Sequence, residues 1–238
     1  MANFDIAHGS ALPGTAATAD RVASFLRAAY GWMCAGLAIT AVTAGYVASS
    51  PSLLGVIAQN QLLYFGLFAA QLGIVFYLSS RVQRLSASTA SLLFIGYSVL
   101  TGVTLSFVML VYTGEALTST FVVTAGMFGS MALYGTVAKR SLAGWGQFLF
   151  MGLIGVVIAS ILGIFWHNDG LQFVISFIGV IVFTGLAAYD AQRLKEMALM
   201  TSAGETGSYA IVGALALYLD FVNLFLMLLR LQGGGRRR

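Results

Sequence analysis

Hydrophobic residues run along this chain in long unbroken stretches, without the alternating or every-third-residue spacing of a soluble fold. Seven stretches reach the roughly 20 residues that cross a bilayer, near 27–48, 60–79, 87–112, 118–138, 145–165, 171–193 and 208–231. A membrane β-barrel would instead alternate lipid-facing and inward-facing residues in segments of about ten. The pattern predicts an all-α integral membrane protein with seven transmembrane helices. Short connections force consecutive helices to run antiparallel, side by side. The expected organisation is a flexible N-terminal tail over 1–20, a single seven-helix transmembrane domain over 21–232 and a basic tail over 233–238.

Composition sharpens this picture. Of 238 residues, 59% are hydrophobic and 8% charged, against about 25% charged in a soluble domain. The spans use most of the chain and leave no room for a soluble catalytic domain. The net charge of +4 is a topology signal, with no nucleic-acid partner implied, because the cations sit in small clusters between spans. Arg21 and Arg27 lie at the start of span one, Arg81 and Arg84 follow span two, Lys139 and Arg140 follow span four, and Arg193 and Lys195 close span six. The loops after spans one, three and five lack Lys and Arg and hold Glu115, His167 and Asp169. By the positive-inside rule the N-terminus and the even loops face the cytoplasm. The terminal Arg236, Arg237 and Arg238 disagree with that frame, since seven spans put them outside. Six spans with one re-entrant segment and a cytoplasmic tail is the alternative. Residues 1–20 are polar without the basic start of a signal peptide, so span one is expected to stay in the membrane.

Smaller features add little chemistry. Cys34 is the sole cysteine and forms no internal disulfide. Gly155, Ala159 and Gly163 recur every four residues on span five, a spacing that allows close helix packing and is also common in membrane helices generally. Trp145, Trp166, Tyr46 and Tyr112 fall near span ends and read as interfacial anchors. His8 and His167 are scattered and make no metal site. No EF-hand loop, phosphate-binding glycine loop or internal repeat of transporter type is present.

Two aspartates stand out. Asp190, in span six, and Asp220, in span seven, are the only acids inside the apolar stretches. An ionised carboxylate at mid-bilayer costs about 2.5–3.5 kcal/mol even on the lenient insertion scale, so such residues usually pair and act. If spans six and seven form a hairpin turning within 201–208, its centre, Glu205, is equidistant from both acids, and the carboxyls share one height about 22 Å back from the turn. Equal depth follows from the spacing; facing does not. Two carboxyls meeting in a low dielectric share a proton and titrate as a unit. Protonated, they hydrogen-bond; deprotonated, they repel and attract a cation. The plainer reading pairs Asp190 with Arg193, three residues on, and makes Asp220 a structural hydrogen-bonding knot with Asn223.

At YDAQRLK (189–195) and LALYLDFVNLFLMLLRL (215–231), with FIGYSVLTGVTLS (94–106) and ALYGTVAKRSL (132–142), the chain resembles the transmembrane Bax-inhibitor-motif family from about residue 21 to its end. The resemblance implies six helices around a central, hydrophobic seventh, the C-terminal one. It also implies a pH-dependent calcium leak gated by the aspartate pair, at Asp190 and Asp220, in a bacterial plasma (inner) membrane. A basic residue ending the second span latches onto the sixth-span aspartate in the family; Arg81 is the candidate here, ahead of Arg84. Some relatives carry an acid within the second span where this chain has Gln71, which makes a polar path through Gln71 and Asn223 less negative. Calcium prefers six to eight oxygen ligands, so Asp190 and Asp220 with waters would form only a weak, transient site. That suits a transported ion, and no cofactor is implied.

Two competing functions are set against the leak. An intramembrane aspartyl protease also places YD on one helix and an aspartate on the next, but its G-x-G-D and P-A-L signatures are absent, so no enzyme activity is expected. A non-conducting regulator that binds a membrane protease or a stress or cell-death partner would need no open path. Calcium flux through protein alone in liposomes separates the leak from the regulator.

Overall fold

The structure is a computed structural model that describes residues 15–166, 168–201 and 206–233. Parts of the N-terminal tail with His8, as well as His167, Glu205 and the arginines at 236–238, lie outside the described residues. Eight helices follow in order: α1 Thr15–Ala48, α2 Pro51–Gln59, α3 Gln61–Arg81, α4 Ala87–Val111, α5 Gly114–Val137, α6 Ala143–Phe165, α7 Asp169–Met200 and α8 Thr206–Gln232. All but α2 are long and apolar enough to cross a membrane. The seven expected spans are therefore present. The helix begins inside the stretch expected as tail, at Thr15, and α7 continues seven residues beyond its apolar run.

Polar residues at the span ends explain where the helices start. The first amides of a helix have no partner within it, and side chains supply one. Asn60 Oδ1 accepts from the Leu63 amide at 3.0 Å, and Ser86 Oγ from Thr89 at 3.2 Å. Thr113 Oγ1 accepts from Ala116 at 3.3 Å, and Asn168 Oδ1 from Leu171 at 3.2 Å. The unforeseen α2 fills the connection after α1, with Pro51 at its first turn, where a missing N–H costs nothing.

Five of the six other spans pack against α8, the most buried of the seven. It packs against α1, α3, α4, α5 and α7. Outside it, α3 packs on α4, α4 on α1, α5 on α7 and α7 on α6. The ring is thus an arc whose two ends, α3 and α6, leave a seam over α7 and α8. Large apolar side chains such as Leu62, Phe76, Phe148 and Phe165 point outward, a surface that water would not tolerate and lipid does.

Close approach occurs where side chains are smallest. A Cβ at Gly135 would overlap the Ala188 carbonyl, so α5 and α7 touch backbone to backbone there. The Gly155 position of the four-residue spacing meets no neighbour, so that motif does not build a helix contact at its first member. Tyr46, Trp145 and Trp166 are exposed at span ends as expected of anchors, whereas Tyr112 is buried. A buried polar knot ties α1, α4 and α8. Thr40 Oγ1 lies 2.6 Å from the Tyr218 hydroxyl and donates to the Ser98 carbonyl at 2.9 Å.

Candidate acidic site at the end of the bundle

Charge distinguishes the two ends of the bundle. One end gathers Arg21, Arg27, Arg81, Arg84, Lys139, Arg140, Arg193 and Lys195 with the acids Asp20 and Glu196; the other carries Glu115, Asp169 and, as its lone cation among the described residues, Arg230. Asp190 belongs near the basic end. Asp169 and Asp190 are twenty-one residues apart on α7, about 32 Å at 1.5 Å per residue. That separation equals the hydrocarbon thickness of about 30 Å. On α5, Gly114 and Gly135 have the same spacing, and Gly135 lies against Ala188. The two helices agree for Asp190, which stands toward the basic end of the crossing, whereas Asp220 is fourteen residues into α8 and twelve from its end.

The sequence left the facing of the two acids open, and the structure brings them together. The Asp190 and Asp220 side chains lie close enough to interact directly. A carboxyl–carboxyl hydrogen bond requires a proton on one partner. Asp220 is 5% exposed and its Oδ2 is buried without a partner among the described residues, whereas Asp190 is half-buried. An orphaned carboxyl oxygen beside a second carboxyl is a strong acceptor awaiting a donor or a cation.

Asp190 sits where two cavities meet. One, of about 410 Å³, lies between α3, α7 and α8 and is lined by Ser79, Val82, Asp190, Arg193 and Tyr209 among others. The second, of about 470 Å³, lies between α6, α7 and α8 and exposes Gln147, Tyr189, Asp190, Arg193, Asp220 and Asn223. A third, of about 560 Å³, continues toward the acidic end past Asn223, Gln172 and Arg230. Together they trace the seam left by α3 and α6.

The remaining candidates divide. Asn223 lines the second and third cavities, and its Nδ2 donates to Leu219 O of its own helix at 2.8 Å. Gln71 is elsewhere: its Nε2 donates to Thr104 Oγ1 at 3.2 Å between α3 and α4, and it lines none of the three cavities. Arg81 is exposed and outside the cavity that Ser79 and Val82 line, and Arg84 is exposed on the short 3₁₀ turn beyond it. The cation acting on Asp190 is Arg193, from the same helix. Asp190 thus has a second carboxyl on α8 and a cation one turn along α7 in its surroundings. Among the described residues no third His, Cys, Asp or Glu completes a metal-binding group with the pair.

Sequence reasoning missed the residues that hold this end in place. Gln192 clamps the connection between α5 and α6: its Oε1 accepts from the Leu142 amide at 2.6 Å, and its Nε2 donates to Arg140 O at 2.9 Å. Lys195 Nζ donates to Thr136 O at 2.8 Å, and Arg21 Nη2 to Thr201 O at 3.0 Å. The Tyr189 ring covers Gly146, where a Cβ would collide with it. The only signal was the polar run after Tyr189, which reads equally well as a solvated helix end.

Residues 22–237 match the family model described as "Inhibitor of apoptosis-promoting Bax1". The inner membrane protein YbhL of Escherichia coli strain K12 is 48% identical over 216 residues, covering 90% of this chain and 92% of its own. An uncharacterized protein of Deinococcus radiodurans is 43% identical over 215 residues, covering 90% of this chain and 92% of its own. One of Borreliella burgdorferi is 40% identical over 214 residues, covering 89% of this chain and 92% of its own.

Proposed function

The chain belongs to the family of inhibitors of apoptosis-promoting Bax1, and we propose that it is a pH-sensitive leak for calcium gated by the Asp190–Asp220 pair. The observation that carries this reading is the close approach of the two carboxyls, with Asp220 Oδ2 buried and unpartnered among the described residues. With one proton shared, α7 and α8 are held together at the basic end. Without it, two anions repel in a poorly solvated place and draw in a cation. Flux then rises as the shared proton leaves.

The two cavities that meet at Asp190 supply the route on this reading. A cation enters beside Ser79 and Arg193, passes the carboxyls and reaches Asn223. Two carboxylates and an amide offer few of the six to eight oxygens calcium prefers. Occupancy is therefore weak, as a leak requires. The basic end is the cytoplasmic face under the positive-inside rule, and the setting is a bacterial inner membrane, the location that the name of the Escherichia coli relative gives. The role is conduction without a catalytic step, and no cofactor takes part.

Calcium entry into proteoliposomes, measured over a pH series with protein as the only component, tests this. Wild type gives a pH-dependent flux, and Asp190→Asn or Asp220→Asn flattens the dependence. A normal pH profile in either variant ends the paired-carboxyl mechanism. No flux from correctly folded wild type moves the balance to a regulator that acts through a partner.

A further inference from the structure

The third cavity has walls of two kinds. Between α6 and α8 it is lined mainly by Val156, Val157, Ile161, Leu226 and Met227, with Ser160 and Asn223 as the polar members. At its end toward the acidic face stands Arg230, exposed, with Gln172 near by and no carboxylate in the lining. Gly163, on the same wall, is two residues from the end of α6, so Arg230 stands close to the membrane surface. Val157 and Ile161 in its lining are exposed apolar side chains of a span, as a lipid-facing opening requires.

An occupant must therefore be apolar along the groove and anionic at its end. We propose that this groove binds an anionic phospholipid, with its phosphate on Arg230 and one acyl chain lying between α6 and α8. Lengths agree with this. From Gly163 to Gly146 the α6 wall of the two adjoining cavities covers seventeen residues, about 25 Å, while one leaflet contributes about 15 Å of hydrocarbon. A chain of that length anchored at Arg230 fills the outer cavity and runs past Asn223 toward the level of Asp220, ten residues along α8. A basic group at a cleft between spans is the usual recognition element for such headgroups.

Native mass spectrometry of the purified full chain, supplied with equal phosphatidylglycerol and phosphatidylcholine, reads the site directly. Wild type retains the anionic lipid about fivefold over the neutral one, the ratio that one surface arginine provides. Arg230→Gln brings the two lipids to parity, and Arg230→Lys keeps the preference. Val157→Trp, which fills the groove, lowers retention of both lipids. Lys139→Gln, at the opposite end, leaves the preference intact. The proposal is overturned if Arg230→Gln keeps the preference or if Lys139→Gln loses it equally. It is also overturned if Val157→Trp retains both lipids as wild type does. Inorganic phosphate abolishing the preference at millimolar concentration would mean a free-anion site in place of a lipid one.

Discussion

Gln192 gives the sharpest prediction about stability. Replacing it by leucine keeps the side chain's approximate size and removes both of its hydrogen bonds, at 2.6 Å to the Leu142 amide and 2.9 Å to the Arg140 carbonyl. Each such bond contributes about 0.5–1.5 kcal/mol net, so the loss is about 1–3 kcal/mol. The Leu142 side chain caps nothing at the start of α6, so no local substitute takes over from Gln192 Oε1. The unfolding equilibrium should shift by roughly 5- to 150-fold, at 1.4 kcal/mol per factor of ten. Reversible unfolding in mixed micelles, followed by tryptophan fluorescence, measures it; Trp145 lies three residues from the clamped amide and reports locally. Amide exchange over residues 138–142 should accelerate in parallel. A leucine variant within 0.3 kcal/mol of wild type, with unchanged exchange in that linker, would refute the clamp.

Two further predictions follow from the same packing. Gly135→Val forces a side chain into the Ala188 backbone, and overpacking of this kind costs about 1–3 kcal/mol; micellar unfolding should register it, while Gly155→Val, where a Cβ meets nothing, should be near neutral. Arg193→Ala removes the cation beside Asp190 and should alter the pH profile of calcium flux more than Arg81→Ala does. If Arg81→Ala instead raises flux at neutral pH and Arg193→Ala leaves it unchanged, the latch is on α3 after all.

Span number and helix class were legible because lipid imposes one requirement, an apolar run long enough to cross, and seven runs meet it. The equal height of Asp190 and Asp220 was legible for a related reason, since a helical rise converts residue counts into depth. The place of Asp190 toward the basic end of the crossing was not, because α7 runs on to Met200 through Gln192, Arg193 and Lys195, and polarity alone does not mark where a helix leaves the membrane. Nor could composition place Gln71, whose amide turns toward Thr104 on α4. The direction in which a polar side chain points depends on which helices neighbour it. The short α2 escaped because nine residues are too few for a span and too apolar to look like a loop. Gln192 escaped because a clamp on a neighbouring connection has no periodic signature.

One measurement on reconstituted protein tests the central claim most directly. Infrared spectroscopy of a protonated carboxyl, assigned by its disappearance in Asp220→Asn, gives the pH at which the shared proton leaves. Calcium flux in the same liposomes gives the pH at which conduction rises. The account predicts that the two transitions coincide and that Asp190→Asn moves both together. Transitions at different pH, or a flux transition that survives after the carboxyl band is gone, would contradict it.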